Sequence, residues 1–227
     1  MKKGNSGKAI FRKEYTPYPR KLEHATLRFE IGEDSTRVRS KLQFSRNDAA
    51  VATRDIVLDG QDMELLSIAM DGRELDRDGF SLDENSLIVH RAPARCVLEL
   101  EVLIKPQENS SLVGLYPSGE FLLTQCEAEG FRRITYFPDR PDVMTRFEVT
   151  LVADQVRYPV LLSNGNAVDS GTLGDGRHWV QWDDPFAKPS YLFALVAGDL
   201  AYVEDHFRTR SGREVTLRVY VERENLD

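Results

Sequence analysis

Short runs in which apolar and polar residues alternate strictly, separated by Asp-Gly and Asn-Gly pairs, narrow the folds open to this sequence more than any other feature. Leu27, Phe29 and Ile31 alternate with Arg28 and Glu30, and Gly32-Glu33-Asp34-Ser35 then turns the chain into Val38, Leu42 and Phe44. A period of two puts all the apolar side chains of a strand on one face, so this pair predicts a hairpin with one dry and one wet face. Further runs rich in β-branched or aromatic residues are Ile56 to Leu58, Leu65 to Met70, Ser86 to His90, Cys96 to Ile104, Phe147 to Ala153, Val160 to Leu162, His178 to Trp182, Tyr191 to Ala197, Ala201 to Phe207 and Glu214 to Val221. Between them lie Asp59-Gly60, Asp71-Gly72, Asp78-Gly79, Asn164-Gly165, Asp175-Gly176 and Ser211-Gly212, each with a residue that accepts positive φ. Asn164-Gly165 reads as a hairpin turn. Helical periodicity is nearly missing; two helical turns are expected at most, one starting at Asp139-Arg140-Pro141 and one within Asp183 to Lys188. The pattern predicts an all-β chain, an antiparallel β-sandwich or saddle-shaped sheet assembly, folded as a single domain over residues 1–227.

Charge excludes some partners. The formal net charge is -7, which repels a phosphate backbone, so no nucleic-acid partner is expected. The basic cluster Arg208 to Arg213 reads as a solvated hairpin tip. Met1 to Gly7 carries two lysines but no apolar stretch follows, and no window approaches the length of a membrane span, so no membrane partner and a cytoplasmic location are expected. Cys96 and Cys126 stand far apart without metal or redox spacing and are expected as reduced thiols. His24, His90, His178 and His206 never come within four residues of one another, so no metal site is predicted in this chain.

One segment departs from the alternation. Pro106 to Gly119 accumulates Ser, Asn, Gly and Pro, and Phe121 to Leu123 then leads into Thr124-Gln125-Cys126-Glu127-Ala128-Glu129-Gly130-Phe131-Arg132-Arg133. A strand is expected to end there in a polar loop bearing Gln125, Glu127 and Glu129. Read from residue types alone, two acids two positions apart after a strand make a solvated loop. Arg140 and Asp142, flanking Pro141, are placed to form an ion pair that fixes the next loop. Trp179 and Trp182, three apart on one strand, are expected on opposite faces, one in the core and one at a rim.

The run Gln125 to Val143, with Tyr136-Phe137-Pro138-Asp139-Arg140-Pro141-Asp142-Val143 at its end, resembles a segment of the bacterial aminopeptidase N family of zinc exopeptidases. The resemblance continues, in order, through Tyr158 to Asn166, Gly176 to Phe186 and Lys188 to Asp199. It is strong from about Leu112 to Asp227 and looser over the first hundred residues, where Phe11 to Tyr15 matches the family's opening stretch. Carried over residue by residue, it implies that Glu127 binds the α-amino group of a peptide substrate and that Gln125 lines the subsite for the first side chain. Glu129 has no matching role. The family's zinc rests on an H-E-x-x-H helix and its substrate also meets a G-x-M-E-N strand; neither motif occurs in the 227 residues. The resemblance thus implies an amino-terminal domain that binds no cofactor itself and is inactive alone, its partner being a thermolysin-like catalytic domain that holds the zinc. Reading the residues without that likeness leaves open a stand-alone, non-catalytic β-sandwich that binds a carbohydrate or protein partner through Tyr116, Trp182 or Phe186.

Overall fold

The alternating runs become strands. The computed structural model describes residues 11–226, so the lysines of Met1 to Gly7 lie outside it. In chain order the strands are β1 (Arg20–Ile31), β2 (Thr36–Arg46), β3 (Ile56–Asp59), β4 (Glu64–Met70), β5 (Arg73–Glu74), β6 (Phe80–Leu82), β7 (Ser86–Val89), β8 (Cys96–Ile104), β9 (Gly114–Ser118), β10 (Phe121–Gln125), β11 (Thr145–Asp154), β12 (Val160–Ser163), β13 (Asn166–Thr172), β14 (Arg177–Lys188), β15 (Leu195–Gly198), β16 (Ala201–Arg208) and β17 (Glu214–Val221). They form an eight-stranded sheet ordered β13-β14-β11-β1-β2-β8-β4-β5, a four-stranded sheet β12-β15-β10-β9, a three-stranded sheet β3-β7-β6 and the pair β16-β17. Pairing is antiparallel throughout except between β1 and β11. The expected all-β class stands. No helix among the described residues is long and apolar enough to cross a membrane.

The predicted first hairpin is β1–β2, and its alternation decides which face is dry. Leu27, Phe29, Val38 and Leu42 have no exposed surface, and the equivalent residues of β8 and β11, Leu98, Val102 and Leu151, are also fully covered. The small sheets close over this face through Ile56, Leu58, Leu87, Val89, Leu122, Leu161, Leu195 and Ala197, all within the same core. The opposite face is wet and carries ion pairs among Arg28, Arg37, Arg39, Glu30 and Glu101. Such surface pairs add little stability each; the apolar burial on the other face dominates.

Several expectations are corrected. Neither predicted helical turn forms: residues 139–142 lack helix, and Asp183 to Lys188 is the end of β14. Where the register shifts between Thr145 and Phe147 of β11, the extra residues lie on β14, between Asp184 and Lys188, and Lys188 Nζ reaches Asp184 Oδ2 at 2.5 Å, an i,i+4 contact made without a helix. Short 3-10 turns appear instead at Arg12–Glu14, Pro106–Glu108, Phe131–Arg133, Ser190–Leu192 and Arg223–Asn225. The run Tyr191 to Ala197 is therefore a strand only from Leu195, because Asn164 engages Leu192 O and the Ala194 N–H through its side-chain amide.

Asn164-Gly165 does not close a hairpin. β12 pairs with β15 and β13 with β14, so the turn carries the chain from one sheet to another. Gly165 is required there: its φ is +87° and a Cβ would lie 2.2 Å from Asp183 O. β9 forms within the stretch Pro106 to Gly119, where alternation is lost and Pro117 breaks strand patterning; proline is tolerated there because β9 is an edge. Trp182 packs on the core with a buried, unpartnered Nε1, while the Trp179 ring lies against Gly171 across the strand pair. Trp182 is thus withdrawn from the exposed aromatics suggested for sugar stacking.

β16 and β17 bond only to each other. Their register places Val203, Phe207, Leu217 and Val219 on one face, and these side chains are 47–65 % exposed.

Candidate functional site

The loop after β10 is held at both ends. β10 lies between β9 and β15, with Gln125 opposite Gly114 and Leu122 opposite Ala197. The Thr124 hydroxyl accepts the Leu195 N–H at 2.9 Å and fastens β10 to its neighbour. Beyond Gln125 the chain plunges with Cys126, which is 2 % exposed, and returns to the core with Phe131, which is fully buried. Glu127, Ala128 and Glu129 stand exposed between these two anchors. The Gly130 N–H donates to Cys126 O at 2.8 Å and closes the turn. Gly130 cannot be larger, because a Cβ would meet Gln125 O at 2.4 Å. The Glu127–Ala128 peptide bond is cis.

Glu127 presents its carboxylate to solvent with no hydrogen bond or ion pair from any described residue, and its carbonyl accepts the Gln125 amide at 3.2 Å. The two residues that the resemblance singles out are therefore adjacent, at the exit of one strand. Glu129 is different: it lies 3.5 Å from Arg132 Nη1.

Arg132 belongs to a network that fixes the loop from beneath. Its Nε donates to Asp139 Oδ2 at 3.1 Å, its backbone N–H to the same oxygen at 3.1 Å and its Nη2 to Asp139 O at 3.1 Å. Asp139 is 2 % exposed; its other carboxylate oxygen accepts the Ser190 hydroxyl at 2.5 Å, and its N–H donates to Asp59 Oδ2 at 3.2 Å. Burial raises the Asp59 carboxyl above its usual range, with Arg132 opposing that rise. Sequence reasoning named Arg132 and Asp139 but had no signal for Ser190, which is 51 residues away from Asp139. The Arg140–Asp142 pair forms as anticipated, at 2.8 Å, and Tyr15 joins it through a 3.0 Å hydrogen bond. Burial works against the Asp142 anion, but the hydrogen bonds from Arg140 and Tyr15 prevail and hold its carboxyl below the usual range.

Among the described residues no three His, Cys, Asp or Glu side chains gather as a metal site. Burial pushes both the Cys96 and Cys126 thiols up, so neither is a thiolate nucleophile at neutral pH. Both cysteines are free and buried. A thiol-reactive disulfide reagent is expected to label neither in the native protein and both after unfolding in urea; native labelling would contradict the packing described. A cavity of about 550 Å3 opens nearby, lined by Leu115, Arg133, Asp62 and Glu108 among others, but neither Gln125 nor Glu127 lines it. The chain positions a carboxylate and an amide without enclosing them.

Residues 21–192 match the family model described as the Peptidase M1 N-terminal domain. The chain belongs to that family. It is 50% identical over 209 residues to aminopeptidase N of Caulobacter vibrioides, covering 92% of this chain and 24% of that protein. Against aminopeptidase N of Escherichia coli the identity is 46% over 219 residues, covering 96% and 25%. The chain thus spans about a quarter of the length of these relatives. Among solved structures, Legionella pneumophila aminopeptidase A in complex with aspartic acid superposes with a TM-score of 0.89 at 35% identity, over 93% of this chain and 25% of the other. An M1 zinc metallopeptidase from Deinococcus radiodurans shares the fold at a TM-score of 0.75 and 15% identity, covering 92% of this chain and 49% of that one. The family match begins well before the stretch where the sequence resemblance is strong.

Proposed function

We propose that this M1 domain is the amino-terminal part of a zinc aminopeptidase that releases N-terminal residues from peptides. In this reading Glu127 receives the substrate's α-ammonium and Gln125 lines the subsite for the first side chain. The observation that carries it is the exposed, unpaired Glu127 carboxylate on a loop pegged by Cys126 and Phe131, in a chain half identical to an aminopeptidase N. A carboxylate with no internal cation is free to make a charge-assisted hydrogen bond to an incoming ammonium. An acid already spent on an arginine, as Glu129 is, is not.

Among the described residues no cluster of His, Cys, Asp or Glu fits a zinc ion; in this reading the zinc is held by a thermolysin-like catalytic domain, and the chain alone has no peptidase activity. In this reading residues 1–227 are a single domain, which the core shared by the eight-, four- and three-stranded sheets supports. The apolar face of the β16–β17 hairpin supports docking against the catalytic domain, since an isolated two-stranded ribbon is at best marginally stable in water. The reading includes a cytoplasmic location, to which two free thiols are suited.

The test uses the full-length enzyme. Glu127→Gln is expected to lower kcat/KM on an alanyl chromogenic amide by about 10- to 100-fold, the scale of one charge-assisted hydrogen bond. Glu127→Asp should recover part of that loss. An unchanged kcat/KM in Glu127→Gln would remove Glu127 from substrate binding.

A further inference from the structure

We propose that a cleft at the open end of the β1–β2 hairpin binds a small oxyanion, around Arg20. This site lies outside the peptide-binding reading and shares no residue with the Glu127 loop. The cavity has a volume of about 440 Å3 and is lined by four arginines, Arg20, Arg46, Arg54 and Arg91, with no acidic residue in its lining. In a chain with a net charge of -7, such a concentration of positive charge runs against the background.

Arg20 is the unusual member. It is only 4 % exposed, and its guanidinium donates to carbonyls alone: Pro93 O, Ala92 O at 2.9 Å, Arg54 O at 3.2 Å and Thr53 O at 3.3 Å. Its Nε is buried with no partner. Carbonyl dipoles solvate a cation but do not neutralise it, and a buried charge without a counter-ion is costly. Arg46 stands directly opposite Arg20 in the β1–β2 register, and like charges in that position repel.

The carboxylates nearby do not resolve this imbalance. Asp48, whose side chain is 89 % exposed, lies 3.5 Å from Arg46 Nε. Asp55 accepts the Arg91 backbone N–H at 3.0 Å and faces His90 Nδ1 at 3.6 Å. Among the described residues, the guanidinium groups of Arg20, Arg54 and Arg91 are left without an acidic partner.

Guanidinium forks match phosphate and carboxylate oxygens, and the volume suits a small ligand. The overall negative charge disfavours a long nucleic-acid backbone, so the ligand class is a compact, multiply charged oxyanion. Arg20 holds the loops around residues 53–54 and 92–93, while Arg54 and Arg91 reach the ligand from the exposed rim.

The experiment is calorimetric titration of the chain with inorganic pyrophosphate and, separately, citrate, each at an ionic strength matched with sodium chloride. Saturable binding of pyrophosphate alone assigns a phosphate ligand; saturable binding of citrate alone assigns a carboxylate; binding of both supports a general oxyanion site. The R54S/R91S double variant, which spares Arg20, is expected to weaken binding by about tenfold or more with an unchanged Tm in chloride. Backbone amide shifts in the unmodified chain should concentrate at residues 46–55 and 91–95, a readout that does not depend on how the variant folds. No saturable heat with either anion, equal affinity in the double variant, or shifts confined to other regions would overturn the proposal.

Discussion

Asp139→Ala is expected to destabilise the protein by about 3 kcal/mol, seen as a fall of about 1 M in the urea midpoint. The carboxylate has no solvent-exposed surface, and its removal strands Arg132, whose side chain is 15 % exposed. The Ser190 hydroxyl and the Arg132 N–H lose their acceptor in the same step. Asp59 and Glu129 lie 3.9 and 3.5 Å from Arg132 and take up part of its charge, which keeps the loss at the lower end for a broken buried pair. Asp139→Asn should cost less, because an amide still offers an acceptor to Arg132 or Ser190. An Asp139→Ala midpoint within error of the unmodified protein would show that the network does not hold the loop.

Phe131→Ala should cost about 3–5 kcal/mol. Phe131 is fully buried, with ring centroids 4.6 Å from Phe137, 5.1 Å from Phe193 and 5.9 Å from Phe147. Those three rings come from separate stretches of the chain, so truncating Phe131 empties the point where they converge and removes one of the two anchors of the Glu127 loop. Phe186→Ala is the control. Phe186 is 78 % exposed, and its loss should change stability by less than about 0.5 kcal/mol. The two variants are compared by urea unfolding, and equal midpoints would contradict the packing of the aromatic cluster.

Both effects fall on residues that follow the substrate-binding candidates in sequence, Phe131 four and Asp139 twelve positions after Glu127, and are not among them. The exposed loop that bears Gln125 and Glu127 was legible because a polar stretch at a strand exit is a local pattern; the role proposed for each residue rests on the resemblance. The anchors beneath were only half legible. Arg132 and Asp139 were visible as charged residues in a recognisable stretch, yet their shared burial depends on Asp59 at the end of β3 and Ser190 in the turn after β14, both distant in sequence.

The sequence by itself determined the all-β class, the β1–β2 hairpin with its dry face, and most strand positions, because alternation with a period of two is written in neighbouring residues. Only the tertiary structure decided which strands meet. The parallel pairing of β1 with β11, the passage from β12 to β13 between sheets at Gly165, and the strand end at Asp183 to Lys188 all depend on partners distant in sequence. Periodicity tells a residue which face it occupies. It carries no information about what that face will touch, and the partner selected by burial of the common core then overrides local turn and helix signals.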